Sequence, residues 1–371
     1  MFNKKFFVPL VSICICFVII IGLNYKNEKG NKTVKDYKGC YDEVQEALYN
    51  FESTLVINVV NYDKNVYNLD VVKKVIEDNP ELAGSCTQYK LRVNKAIFFS
   101  KLTFSFTYYE SKEVLESREK AVQNKVKEIT NKVINPNMKD YEKEAALHDY
   151  IINNTKYDNR YSSGNMPKES YTAYGVLIHG VGVCQGYAQA MDRLLKACGI
   201  ESKMAIGEAN DGKGWIGHAW NIVKLGGKYY HLDLTWDDPV SEDGSNEIRY
   251  SYFNVTDEQI EKNHKWNKEN YPKCSSTEFA FKNLKLVEKD SKGNIIIVTK
   301  NYEELYNAIK KELSRGSAVA SFKILDFDNS QKNIETSIMK AYEALSKGGQ
   351  FTYSYYKDDV MNCGYITINF K

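Results

Sequence analysis

The sequence predicts an α+β protein in which a central segment rich in chemically active side chains lies between two small αβαββ modules. Three observations predict it. Helical and strand-like periodicities alternate along the chain, with neither dominating. The same order (helix, strand, helix, strand, strand) appears near both ends. Between them, Tyr171 to Pro239 holds a cysteine at a helix start and a glycine-hinged hairpin bearing histidine and aspartate.

Taken in order, Lys4 and Lys5 precede an apolar run from Phe6 to Leu23, followed by a polar stretch, Asn24 to Lys35. A short basic end, an apolar run and then polar chain is the pattern of a secretory signal or signal anchor. Eighteen residues in a helix rise about 27 Å, close to the thickness of a bilayer core. No small-x-small cleavage site follows. A retained single-pass anchor over residues 1–25 is therefore expected, with a linker over 26–34. Lys4 and Lys5 would stay in the cytoplasm and the rest would be exported, or secreted if the segment is cleaved.

The first module is expected over 35–110. Tyr37, Tyr41, Val44, Leu48 and Phe51 fall at helical spacing. A strand-like run from Leu55 to Val60 follows, then a helix near Leu69 to Ile76, then runs from Gln88 to Val93 and Leu102 to Tyr109. The C-terminal module, 280–371, repeats the order. Tyr302 to Leu313 is helical, Ala318 to Phe327 strand-like, Ile334 to Leu345 helical, and Phe351 to Tyr356 and Tyr365 to Phe370 strand-like. Leu48-Tyr49-Asn50 matches Leu305-Tyr306-Asn307, which makes the modules candidate relatives. Helical segments, Glu113 to Ile134 and Lys139 to Asn153, open the central domain, 111–275.

The composition fits 371 residues folded as two or three domains, with 43% hydrophobic and 26% charged residues. A net charge of +2 without a long basic run argues against nucleic acid as a partner. Eight cysteines occur, none paired at metal-ligand spacing, so neither a metal nor a cofactor is expected. If Cys184 is a free nucleophile, at least one further cysteine outside the apolar run stays unpaired; pairings among Cys40, Cys86, Cys274 and Cys363 stay open.

The chemistry starts at Gly182-Val183-Cys184. Gly180 and Gly182 mark a turn, and a helix with an apolar face of Tyr187, Ala188, Met191, Leu194, Leu195 and Cys198 follows, stopped by Gly199. Cys184 then sits at a helix N-terminus, where the dipole favours a thiolate and free N–H groups can hold an oxyanion. Further on, Gly226-Gly227 predicts a two-residue hairpin turn. That turn pairs Leu225 with Lys228 and, counting back, Trp220 with Asp233. His218, Trp220, Asp233 and Thr235 would share one face, with His218 and Asp233 diagonal neighbours. A thiol, an imidazole to move its proton and a carboxylate to orient the imidazole are the requirements of thiol acyl transfer.

The blocks GVCQGYA, GHAWNIV and YYHLDLTWDDP resemble the transglutaminase-like superfamily, in particular bacterial members and relatives of the cytokinesis and kyphoscoliosis-peptidase type. HDYIINNTKYD and YTAYGVL are also similar to it. The resemblance covers roughly 135–240. It implies a papain-like fold, a cysteine-bearing helix packed on an antiparallel sheet, with Cys184 as nucleophile, His218 as base and Asp233 as third member. Members include transglutaminases, peptidases and proteins without known activity.

Each assignment has a rival. His231 lies on the same face as His218, but a neighbour two along one strand aims poorly at its own carboxylate. Cys198 reads as core, His148 and His179 as structural, and Asp237 and Asp238 as turn residues. Trp220 reads equally as cleft wall or core; Gln185 and Tyr174 are candidate oxyanion or cleft residues. The expected function is a membrane-anchored extracytoplasmic cysteine enzyme. It would act on amide bonds of a protein or cell-wall peptide through a thioester, as a peptidase, amidase or protein-glutamine transglutaminase. The alternative is a catalytically silent binding or assembly protein at the cell surface.

Overall fold

The structure is a computed structural model. It describes residues 32–82, 84–160, 165–210, 212–238, 248–284, 288, 290, 294–346, 348–358 and 363–371. The apolar run at 6–23, and with it the expected anchor, lies outside the described residues. Among the described residues, no helix is long and apolar enough to cross a membrane. The chain divides into two compact units, Met1–Lys112 and Glu113–Lys371.

The first unit holds β1 (Lys32–Val34), α1 (Tyr37–Tyr49), β2 (Thr54–Val59), α2 (Asp70–Asp78), β3 (Cys86–Lys95) and β4 (Ser100–Tyr108). Asp36 starts α1 by accepting the Gly39 N–H at 2.8 Å, so one of the helix's orphan donors is satisfied. Cys40, Val44, Ala47 and Leu48 form the buried stripe of α1. They pack with Val71, Val72 and Val75 of α2 over Ile57, Leu102 and Phe104 of the sheet. The strand order is β1-β2-β4-β3, with β1 parallel to β2 and the other pairs antiparallel.

The second unit starts at the second residue of α3 (Lys112–Val133) and continues with α4 (Asp140–Asn154), β5 (Lys156–Tyr157), a π-helical turn at Gly175–His179, and β6 (Val181–Gly182). Next come α5 (Cys184–Ala197), β7 (Ser202–Asn210), β8 (Trp215–Leu225), β9 (Lys228–Leu232), α6 (Leu234–Asp237), β10 (Phe253–Val255), α7 (Asp257–Ile260) and β11 (His264–Trp266). The five-stranded antiparallel sheet has the order β10-β9-β8-β7-β11. Ile129 of α3, Leu147 and Ile151 of α4, and Met191 and Leu194 of α5 pack with Val223, Leu225, Tyr230 and Leu232 of the sheet. A second core contains Ala205, Trp220 and Ile222 of the sheet with Tyr252, Val255 and Ile260. The expected helix-on-antiparallel-sheet layer is present, with α5 against β8.

The unit ends with β12 (Ile296–Thr299), α8 (Tyr302–Arg315), β13 (Val319–Ile324), α9 (Gln331–Ala344), β14 (Phe351–Asp358) and β15 (Cys363–Phe370). Asn301 caps α8 at its start, and Gly316 closes it in the left-handed region at φ 75°. The sheet order is β12-β13-β15-β14, with β12 parallel to β13 and the other pairs antiparallel. Both flanking sheets therefore share one order and one pattern of pairing. Each also has a leading strand that the αβαββ expectation lacks. Lys32–Val34, assigned to the linker, is β1, and β12 precedes α8. Three- and four-residue edge strands are too short to show a period of two.

Candidate active site

Cys184 opens α5, as expected. Val183 precedes it in extended conformation, and among the described residues no side chain caps this end. The first N–H groups of a helix have no partner within it, so this end faces the cleft with donors unclaimed by a cap. Gly186 explains the close packing of the first turn: a Cβ there would lie 2.6 Å from the Ser170 carbonyl oxygen and 3.2 Å from that of Thr172. Gly182 is equally confined, with its Cβ position 2.4 Å from Val176. The Ser170 hydroxyl donates to Asp158 Oδ2 at 2.6 Å, and Arg160 grips the same carboxylate at 2.7 and 2.8 Å. These bonds hold Asp158 down to about 2, led by the Arg160 hydrogen bonds.

The hairpin forms as its glycines require. Gly226 and Gly227 have φ of 55° and 79°, and Leu225 pairs with Lys228. The register runs to Asn221 opposite Leu232, where β9 ends. Asp233, expected in mid-strand, instead caps α6: Oδ1 accepts the N–H groups of Thr235 at 3.0 Å and Trp236 at 3.3 Å. Thr235 accordingly lies in a helix and not on the strand face. The other oxygen, Oδ2, lies 2.6 Å from His218 Nε2. Cys184 is the other side chain that acts on His218, favouring its charged form. With Nε2 donating to Asp233, Nδ1 is the nitrogen left for the thiol.

Burial would strip His218 of its proton, but the Asp233 charge and hydrogen bond, with Cys184 adding to them, raise it to about 10. Burial likewise opposes ionisation of Asp233, yet His218 and then His264 hold it well below the usual carboxylate range. Cys184 and His218 border a cleft of about 1240 Å³ whose walls include Tyr157, Tyr171, Ile206, Ile216 and Trp236. Such a site can attack an acyl carbon with sulfur, hold the oxyanion on helix N–H groups and return a proton to the leaving group.

Residues 127–234 match the family model described as the transglutaminase-like superfamily. The central segment is thus similar to a transglutaminase-like core. Among solved structures, the chain is similar to a transglutaminase at 13% identity and a TM-score of 0.28, covering 56% of this chain and 59% of that one. It is similar to a candidate cysteine protease of Cytophaga hutchinsonii at 18% identity and 0.25, covering 40% and 65%. An arylamine N-acetyltransferase of Bacillus cereus with a Cys-His-Glu triad matches at 12% and 0.24, covering 30% and 48%. The chain thus spans less than two thirds of each of these proteins. No curated protein matches it.

Around the transglutaminase-like core, other expected residues fall differently. Gln185 borders the cleft. Trp220 is 1% exposed and donates Nε1–H to His231 at 2.9 Å, so it is core and not cleft wall. Trp236, which the sequence reading passed over, takes the wall position. Tyr174 packs edge-on against His179 under the Arg118 guanidinium, away from the cleft lining. His148 is buried, as a structural residue would be, between Asp149 and Asp237. Asp237, expected in a turn, ends α6: it is buried, bonded to His148 and accepts the Tyr252 N–H at 2.9 Å. Asp238 accepts the Tyr187 hydroxyl at 2.7 Å. The six described cysteines are free thiols.

A second triad-like group, Cys274, His231 and Asp257, lies in the same domain. His231 Nε2 sits 2.8 Å from Asp257 Oδ1, and Cys274 is fully buried. The Trp220 N–H directed at His231 Nδ1 puts the imidazole proton on Nε2, where it faces Asp257. That nitrogen therefore offers no lone pair to a metal or to a thiol proton. His218, Asp233 and His264 also cluster. Their 2.6 Å contact is shorter than the roughly 3.3 Å between two ligands of one tetrahedral zinc, so it reads as a hydrogen bond. The sequence reading missed His264. Its one signal is an alternation, His264 then Trp266 among charged residues.

Proposed function

We propose that this protein is a thiol acyl-transfer enzyme acting on amide bonds of a protein or peptide, held outside the cytoplasm by its N-terminal apolar segment. The observation that supports it best is the chain of contacts from Asp233 through His218 to Cys184, at an uncapped helix start on an open cleft. In this reading Cys184 Sγ gives its proton to His218 and attacks the carbonyl carbon. The oxyanion rests on N–H groups at the start of α5. The C–N bond breaks as His218 returns the proton to the amine, leaving a thioester on Cys184. Water or a second amine then gives a proton to His218 and takes the acyl group. Water makes the enzyme a peptidase or amidase; an amine makes it a transglutaminase. The flanking modules, alike in sheet order, would be related units that hold the protein or cell-wall substrate.

The test incubates the protein with a glutamine-rich polypeptide and a fluorescent primary amine, with Cys184→Ala as control. Label in the polypeptide from native protein alone supports transamidation. Cleavage without amine dependence supports hydrolysis. Equal results from native and Cys184→Ala protein, across a panel of polypeptides, would remove the enzymatic reading.

A further inference from the structure

We propose that His264 is a positioning residue of this site: it donates Nε2–H to the same Asp233 oxygen that His218 uses, and so limits how tightly Asp233 holds the His218 proton. The inference rests on the acyl-transfer reading and names a part of that site which the triad does not contain.

The geometry is specific. His264 Nε2 lies 3.0 Å from Asp233 Oδ2, and its ring centroid is 5.3 Å from that of His218. His264 is in β11, the far edge of the sheet, while Asp233 follows β9, three strands away in the order β9-β8-β7-β11. Three flat spacings would separate them by about 14 Å, so the sheet curls strongly to bring them together. Gly207 of β7 permits the curl, since a Cβ there would meet the Lys265 carbonyl oxygen at 2.1 Å and Trp220 at 3.0 Å. Trp220, Trp236 and Tyr252 pack around the His264 ring, which is 1% exposed. Asn263 Oδ1 faces Nδ1 at 2.7 Å while its Nδ2 donates to the Tyr252 hydroxyl, so both His264 nitrogens face oxygen acceptors, Nδ1 toward Asn263 and Nε2 toward Asp233. A buried imidazole held from three sides has one polar task left, at Asp233.

The consequence follows from sharing. Oδ2 divides its charge between two donors, while Oδ1 is committed to the N–H groups of Thr235 and Trp236. Without His264 the carboxylate stays oriented by Oδ1 and concentrates its charge on His218. The imidazolium would then give its proton to the leaving amine less readily. The other titratable groups around this unit are Cys184 from α5, Asp237 from α6, Tyr252 before β10 and His231 from β9.

The chain has five histidines, so histidine-labelled full-length protein gives an assignable NMR titration. His264→Leu is expected to raise the His218 midpoint by about one unit, and His264→Gln, whose uncharged amide N–H can reach Oδ2, to restore part of it. Should the leucine variant not fold, His264→Asn, too short to reach, replaces it. A His218 midpoint unmoved in the variant lacking the donor, or moved equally in the Gln variant, overturns the proposal. Alkylation of Cys184 in His218→Ala protein is run alongside. If it matches native protein, the acyl-transfer reading itself fails, whatever His264 does.

Discussion

Asp233 Oδ2 accepts from two imidazoles at once, His218 Nε2 at 2.6 Å and His264 Nε2 at 3.0 Å, while Oδ1 takes two backbone N–H groups. All four partners are donors, so this position needs a carboxylate.

Asp233→Asn should therefore keep the helix cap through its oxygen but aim an NH2 group at both histidines. His218 would have to move its proton to Nδ1, where it can no longer accept one from Cys184. Turnover is expected to fall about 10³- to 10⁴-fold. Steady-state kinetics against native protein, with circular dichroism to confirm the fold, check this.

Glu144 and Asn254 offer a stability test away from the chemistry. Asn254 Nδ2 donates to Glu144 Oε2 at 2.7 Å, yet among the described residues Glu144 Oε1 and Asn254 Oδ1 have no partner. Burial pushes the Glu144 carboxyl up to about 8. The folded state thus binds a proton that the unfolded chain has released, and stability falls as pH rises from about 4.5 to about 8. Glu144→Gln supplies an N–H for Asn254 Oδ1 and removes the charge. Urea melts should show it stabilised by about 1–3 kcal/mol at pH 8, with little gain at pH 4.5.

The raised His218 has the opposite origin but the same slope. Its stabilising proton is fully held below the unfolded value of 6.5 and is lost as pH rises through about 10. His218→Gln should flatten the stability profile between these values, as melts across that window would reveal.

Cys274→Ala separates the two Cys-His-Asp groups. Cys274 is fully buried and its thiol is pushed well up by burial. The variant should lose about 1–2 kcal/mol of stability and none of the Cys184 reactivity. Loss of activity in a folded Cys274→Ala protein would move the chemistry to the second group.

How much was legible depended on distance along the chain. The turn at Gly226-Gly227 has one good geometry, so the register that brings His218 near Asp233 followed from counting. Helix α5 announced its start and face locally. The end of β9 at Leu232 was masked by the apolar alternation that runs on through Leu234, although Asp233 is a preferred cap residue whose N–H partners lie only two and three residues on. His264 was hidden more deeply. Its place depends on the curl of a five-stranded sheet, which no local period encodes. Trp220, which reads equally as wall or core, and Trp236, which had no assigned role, were undecided for a related reason: an indole is as much at home in a core as on a cleft wall.

The central claim is that Cys184 is the primed nucleophile. Limiting iodoacetamide on the native full-length chain, with each cysteine read out by mass spectrometry across pH, tests it most directly. The account predicts that Cys184 reacts first, ahead of Cys86 and Cys198, and that His218→Ala removes this lead at neutral pH. Preferential labelling of another cysteine, or a Cys184 rate indifferent to His218, would contradict it.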